Sequence, residues 1–558
     1  MFSTRIPPVV IHRAKLFGLL ACLLLVASSS DAQEYLRVPP SALKTIRHVA
    51  IQHNGRHKPV DSFAWETLKL ITGSSRVNQE DPAVTVLSIM AWPEAWQAQL
   101  LLSVPFKPLR EQLGLAPKIT HVSYNELLAT RKLMRMLPAI VQKQQRDEKL
   151  TMLEQETMDL YERFVTLSAL FEQNLELVPP PSGSGPHASW LPIFEPAGYP
   201  RAQQEALRNA WTSFLQAARE GEAAAVEQTA HALSQTLRAA NPSSYPASWR
   251  LTLEVLYNHV TPFRVARALY VAACVLLLLG LRKARQRAAM IGMVLLSIAA
   301  ALHAGDMAIR VILGGRPPVS NFYETMLWLP FVGVVLALIF ERIYRMRYFG
   351  IAASMLAAIT LALADRVPLD SSIAPVVAVL RSNLWLTIHV LTIVASYGAL
   401  ALATVLAHIY GVIFLKQRNH STLRSLDLLL YRAIQVGVVL LAGGIMLGAV
   451  WANASWGRYW GWDPKETWAL ITLLWFLAAL HGRFAGWLKG IGVALATISG
   501  FFLLLMTYYG VSFYLVGLHS YAGGHAKPLP SLLVAFLIAE LAFMAAIGIS
   551  AFRRQRLV

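Results

Sequence analysis

The sequence predicts an all-α protein: a polytopic helical membrane domain of about nine transmembrane helices, preceded by a mainly helical extracytoplasmic N-terminal domain. Three observations carry this. The 558-residue chain is 55% hydrophobic and 15% charged, but unevenly so: residues 1–260 are mixed, whereas 261–558 are mostly apolar runs broken by Arg and Lys. Nine apolar segments fall at about 265–281, 288–309, 325–341, 348–364, 384–415, 433–450, 467–482, 490–509 and 531–552. Most are long enough to cross ~30 Å of hydrocarbon at ~1.5 Å per residue. Finally, sixteen Lys and Arg lie after the odd-numbered segments and seven after the even-numbered ones. The positive-inside bias puts the odd loops and the C-terminus in the cytoplasm and the N-terminal domain outside.

Residues 1–32 read as an export signal. Arg13 and Lys15 precede the apolar run 16–27, and Ser30-Asp31-Ala32 offers small residues at a signal-peptidase spacing. Residues 33–260 form the extracytoplasmic domain. In it, 51–61 reads as a turn followed by a helix from about Ser62. Residues 124–175 and 201–239 are rich in helix formers, and the Pro, Gly and Ser of 179–186 interrupt them. His53 and His57 have a metal-compatible spacing but read as surface residues. Residues 261–558 form the transmembrane domain, with an outer Trp-rich loop at 451–468.

The net charge of +18 lies largely in short loops between apolar segments, where it sets orientation rather than marking a nucleic-acid partner. Cys22 and Cys274 both sit in apolar runs. They give no disulfide framework, no CxxC and no CxxCH, which argues against dithiol chemistry and against a c-type cytochrome.

Six of the fifteen Trp fall within 451–475, around the string Trp456-Gly457-Arg458-Tyr459-Trp460-Gly461-Trp462-Asp463-Pro464-Lys465-Glu466-Thr467-Trp468. A plain interfacial aromatic belt needs neither the interleaved Gly nor the Asp-Pro and paired charges. Aromatic faces make a platform for a flat apolar ligand, and Arg458 and Lys465 could pair with carboxylates at its edge. A flat macrocycle with two carboxylates is haem. Axial ligands are then expected on the same side. His389, at the outer end of the fifth segment, and His519, in the last outer loop, stand at matching depth, and neutral imidazole is a common ligand of haem iron.

The string resembles the tryptophan-rich "WWD" signature of haem-handling proteins, most closely the CcsA branch of system II cytochrome c biogenesis. Gly315 to Glu324 and Gly517-Leu518-His519-Ser520-Tyr521 resemble the same branch, so the resemblance covers about 290–525. It implies a bacterial inner-membrane protein that binds haem b at the outer face and presents it to the CxxCH of apocytochrome c. The haem-binding set it implies is His389, His519, His481, Trp456, Trp460, Trp462, Asp463, Trp468, Arg458 and Lys465. By motif position His389 and His519 match the outer iron ligands, and His481 matches a histidine of an intramembrane second or transit site.

In fused relatives a CcsB or ResB portion supplies another intramembrane histidine. The N-terminal region does not resemble that portion, so a separate CcsB/ResB-type membrane partner is expected, within membrane lipid. Its His-Asn-Gly-Arg-His-Lys-Pro stretch resembles an N-terminal extension of some CcsA-like proteins. Within this chain, depth favours His408 over His303 as a partner for His481, with packing between helices as the alternative for either. The acids Asp306, Glu324, Asp463 and Glu466 are assigned to pairing with nearby Arg or Lys. No residue reads as a nucleophile, so the chain is expected to be a haem-handling subunit of a cytochrome c synthase rather than a conventional enzyme. A system I-type haem lyase relative and a polytopic transporter without haem are the other readings.

Overall fold

The computed structural model describes residues 35–146, 148–185, 188–366, 369, 371–373, 383–416, 420–519 and 530–555. The export signal expected at 1–32 lies outside these residues, as do Ser520 and Tyr521 of the last motif and the loop charges Arg381, Arg418, Lys527 and Arg556. The described chain is mainly helical, with three two-stranded ladders. It divides into two compact units. One comprises residues up to Ile51 and Pro59–Tyr245; the other comprises Gln52–Lys58 and everything from Pro246. The division falls ahead of the boundary expected at 260.

In the first unit, helices Pro40–Arg47, Val60–Thr72, Pro82–Ala91, Met152–Phe171, Arg201–Glu220 and Ala223–Ala240 enclose buried Phe63, Leu68, Ile89, Leu160, Trp211 and Phe214. Local chemistry starts these helices. Asp81 Oδ1 accepts from Ala83 N at 3.0 Å and Val84 N at 3.4 Å, and Thr151 and Glu154 form a reciprocal capping box. The turn expected within 51–61 is a β-hairpin, Ala50–His53 with Arg56–Pro59. Asn54 (φ 51°) and Gly55 (φ 71°) supply the two positive φ values that suit a tight two-residue connection.

The second unit contains nine helices long and apolar enough to cross a membrane, among the described residues: Pro262–Leu279, Gln286–Gly314, Phe322–Tyr344, Tyr348–Arg366, Thr387–Lys416, Ser421–Trp456, Pro464–Phe484, Ile491–Tyr514 and Ser531–Arg554. These are called the first to ninth spans below. Each overlaps one apolar segment of the sequence. The sixth is far longer than its segment, because its first turns carry Arg424, Asp427 and Arg432 and so escape an apolar count. Asp427 and Arg483 join this extension to the end of the seventh span at 2.6 Å.

The fifth span is the most buried, 67% of its apolar window, and the ninth the least, 6%. The fifth packs against the third, fourth, sixth and eighth. Gly398 permits its approach to the third, since a Cβ there would lie 2.4 Å from the Leu329 carbonyl oxygen. This packing fixes the two ends that carry the candidate histidines.

Candidate haem-binding site

The Trp-rich string combines a helix stop with a helix start. Gly457, at φ 71°, follows the last turn of the sixth span. Asp463 then caps the seventh span, with Pro464 in its first turn and Lys465 N donating to Asp463 Oδ2 at 3.0 Å. Glu466 Oε2 reaches back to Gly461 N at 2.9 Å and Asp463 N at 3.2 Å. Asp-Pro-x-Glu is thus a capping box, and it sets the angle at which the loop leaves the helix.

Asp463 also holds the loop that follows the eighth span. Its Oδ1 accepts from Leu518 N at 2.6 Å, and its Oδ2 meets His519 Nδ1 at 2.8 Å. Gly517 is needed for this approach, because a Cβ there would lie 2.4 Å from Asp463 Oδ1. Burial pushes the Asp463 carboxyl up. The His519 hydrogen bond and charge, with the backbone donors of Lys465 and Leu518, outweigh that and hold it below its ordinary value.

His389 lies within a single π-helical turn, Leu386–Val390, at the head of the fifth span. A second π-turn, Met506–Gly510, interrupts the eighth span ahead of His519. Such turns re-aim side chains and occur often at functional sites. His389 Nδ1 meets the Gly444 carbonyl at 2.9 Å. Gly448 makes room for the ring: a Cβ there would sit 2.6 Å from Cε1.

Trp451 joins the two histidines. It is 3% exposed, with its ring centroid 5.5 Å from His389, 6.2 Å from His519 and 5.6 Å from Trp456. Trp456 in turn meets the His519 ring edge-to-face at 5.4 Å. His389, Trp451, Trp456 and His519 are therefore one cluster. Both imidazoles have Nδ1 against an oxygen acceptor. That arrangement favours the Nδ1–H tautomer and leaves the Nε2 lone pair for a metal. Among the described residues no three His, Cys, Asp or Glu gather as a metal cage. A pair of imidazoles alone suits an iron whose four equatorial positions are already filled by a macrocycle.

The remaining expected residues are distributed differently. Trp460 and Trp462 pair edge-to-face with each other at 5.8 Å, and Trp462 is 71% exposed. Arg458 is exposed and folds back over Gly461. Trp468 is half-buried one turn into the seventh span, and its carbonyl accepts from Thr507 Oγ1 at 3.0 Å. Lys465 does not reach the outer loop as a carboxylate-pairing cation. It donates to the Tyr508 carbonyl at 3.2 Å and Ser512 Oγ at 2.8 Å, tying the start of the seventh span to the π-turn of the eighth.

His481 lies thirteen residues beyond Trp468 on the same helix, or about 20 Å along its axis. It is exposed, with Nδ1 on the Leu477 carbonyl at 2.8 Å. Ile471, Leu474 and Trp475 are exposed on the same stripe. The choice of His408 as its internal partner is corrected. Both His408 nitrogens are taken, Nδ1 by the Thr404 carbonyl at 2.7 Å and Nε2 by Glu540 at 2.8 Å. The acids divide as well. Glu324 pairs with Arg310 at 2.9 Å and Arg316 at 2.7 Å, as expected. Asp463 and Glu466 instead serve His519 and backbone donors, and Asp306 has no Arg or Lys partner.

Trp451 was missed among the site residues because it lies inside the sixth span, apart from the contiguous string. Its signal was that it opens the six-Trp cluster, five residues before Trp456 on a helix.

The Cytochrome C assembly protein family matches residues 319–519 of this chain. The chain is 31% identical over 510 residues to protein NrfI of Wolinella succinogenes, an alignment that covers 85% of the chain and 54% of that protein. It therefore spans about half the length of this relative. It is 37% identical over 253 residues to the cytochrome c biogenesis protein CcsA of Prochlorococcus marinus (strain MIT 9515), covering 39% of the chain and 78% of that protein. With CcsA of Synechococcus sp. (strain CC9605) the identity is 34% over 300 residues, covering 47% of the chain and 98% of that protein.

Proposed function

The chain belongs to the CcsA-type family of cytochrome c biogenesis proteins, and on that premise we propose that it holds haem b at His389 and His519 and presents it to apocytochrome c. The observation that carries this reading is the His389–Trp451–His519 cluster, with both Nδ1 atoms occupied and both Nε2 atoms available. Haem is the substrate here. Trp451 and Trp456 give its face an apolar surface, and Asp463 keeps the His519 ring from turning.

The bond-forming step belongs to haem and its client. Each thiol of the client's CxxCH adds across one vinyl group, forming a C–S bond and placing the hydrogen on the other vinyl carbon, with no net redox change. This chain supplies orientation, so that a reaction between three parties becomes one between two held groups. It acts as the haem-handling subunit of a synthase.

The charge asymmetry of the loops supports an inner-membrane protein whose N-terminal unit and Trp-rich loop face the periplasm. His481 fits a second or transit site. Its place on an outward-facing stripe suits completion by a CcsB/ResB-type partner, since an imidazole facing lipid alone would lack a polar neighbour.

The test is maturation of a reporter c-type cytochrome in cells carrying His389→Ala or His519→Ala. Each variant should lower covalent haem attachment at least tenfold with the protein still present in the membrane. Normal maturation in both would sink the assignment.

A further inference from the structure

A second polar cluster lies in the membrane-spanning unit, apart from the residues assigned to haem. His303 is fully buried and Asp306 is 3% exposed, one turn apart on the second span. The i,i+3 spacing puts them on one face of that helix. The same face buries Leu296, Ala299 and Met307, so it turns toward other spans rather than lipid. Phe263 and Phe331 stand 5.4 Å from the His303 ring and Tyr270 stands 6.0 Å from it. Rings on three sides and full burial leave no place for a macrocycle.

The polar atoms of this pair are not satisfied by the protein. His303 Nδ1 meets the Tyr270 hydroxyl at 3.2 Å. His303 Nε2 and Asp306 Oδ2 are buried with no hydrogen-bond partner. The Leu327 backbone faces the ring from the third span. The charged groups around the pair are engaged elsewhere. Arg310, one turn further along, bonds Glu324 at 2.9 Å and the Tyr257 hydroxyl at 3.2 Å. Arg264 and Arg267 of the first span both pair with Asp365 of the fourth. Tyr323 of the third span lies under the Arg310 guanidinium. No cation reaches Asp306.

An unpaired carboxylate in such a place is far more costly than the neutral acid. Two neutral groups sharing a hydrogen bond are also favoured there over an ion pair. We propose that His303 and Asp306 form a proton-binding site within the membrane span. One proton enters from the Gly314 end of the second span, past Glu324, Arg310 and the Tyr257 hydroxyl. It binds the Asp306 carboxylate, and the resulting O–H donates to Nε2 of His303. The imidazole Nδ1–H donates in turn to the Tyr270 oxygen. The balance is one proton taken up per chain, with no electron transferred and no covalent bond broken.

The site stands independently of the haem assignment, and its test does not use haem. The full chain, purified in detergent, is studied by infrared spectroscopy at neutral pH in H2O and D2O. The wild type should show the carbonyl band of a protonated carboxylic acid that shifts in D2O and on 13C-labelling of aspartate. Asp306→Asn should lose that band, and His303→Leu should displace it. The labelled wild type decides even if a variant fails to fold. Absence of an aspartate-sensitive acid band at neutral pH overturns the proposal. So does a band that persists in folded Asp306→Asn or stays in place in His303→Leu.

Discussion

Trp451 and Trp462 are five and six residues from Trp456 on either side, yet they sit in opposite surroundings. Trp451 is 3% exposed and touches both candidate ligands, whereas Trp462 is 71% exposed and touches only Trp460. Replacing a buried Trp by Ala removes packing worth about 3–5 kcal/mol, while surface substitutions usually stay within about 0.5 kcal/mol. Trp451→Ala should therefore lower both thermal stability and haem retention, and Trp462→Ala should change stability little. Unfolding curves and haem-to-protein ratios would show it; equal effects would argue against Trp451 as the wall between the imidazoles. At this scale the two histidines were legible, because their depth could be counted along the spans. Trp451 was not, since a Trp within an apolar run carries no mark of what it packs against. Lys465 was legible as a charge but not in direction, because its stem runs inward to a carbonyl that only the π-turn brings within reach.

That π-turn makes the eighth span more than a membrane anchor. Lys465 bonds the Tyr508 carbonyl and Ser512 Oγ, and the chain then runs on to Gly517 and His519. Lys465→Met should weaken stability by about 1–3 kcal/mol, the scale of a lost buried hydrogen bond to a charged group. It should loosen haem through His519, while Arg458→Ala on the exposed loop should leave stability unchanged. A Lys465→Met protein with wild-type stability but no haem would restore the carboxylate-pairing role. Helix starts were readable as spacing, since Asp463, Pro464 and Glu466 follow the capping pattern. π-Turns were not, because one extra residue in a turn leaves a uniformly apolar run looking the same. The sixth span was under-read for the opposite reason: its charged first turns hide a continuous helix.

The count of spans and their approximate positions could be read from the whole chain because apolar length is a strong signal. The grouping of Gln52–Lys58 with the second unit was not, as nothing local in a hairpin records its distant neighbours. Two surfaces of the second unit bear on assembly: the little-buried ninth span and the stripe of the seventh that carries His481. If His481 serves a transit site completed by a membrane partner, His481→Ala should lower total haem loading, including the outer site. Co-expression of a CcsB/ResB-type protein should raise haem in the wild type but not in that variant. Haem per chain, measured with and without the partner, decides it; full loading of the variant would leave His481 as a packing residue.

The central claim is that His389 and His519 ligate one iron, and its most direct measurement is the ligation state of haem in the purified full chain. Absorption and resonance Raman spectra should show six-coordinate iron with two imidazoles. His389→Ala and His519→Ala should each lose that signature, and added imidazole should restore it in either variant. An unchanged six-coordinate spectrum in the double variant would contradict the account.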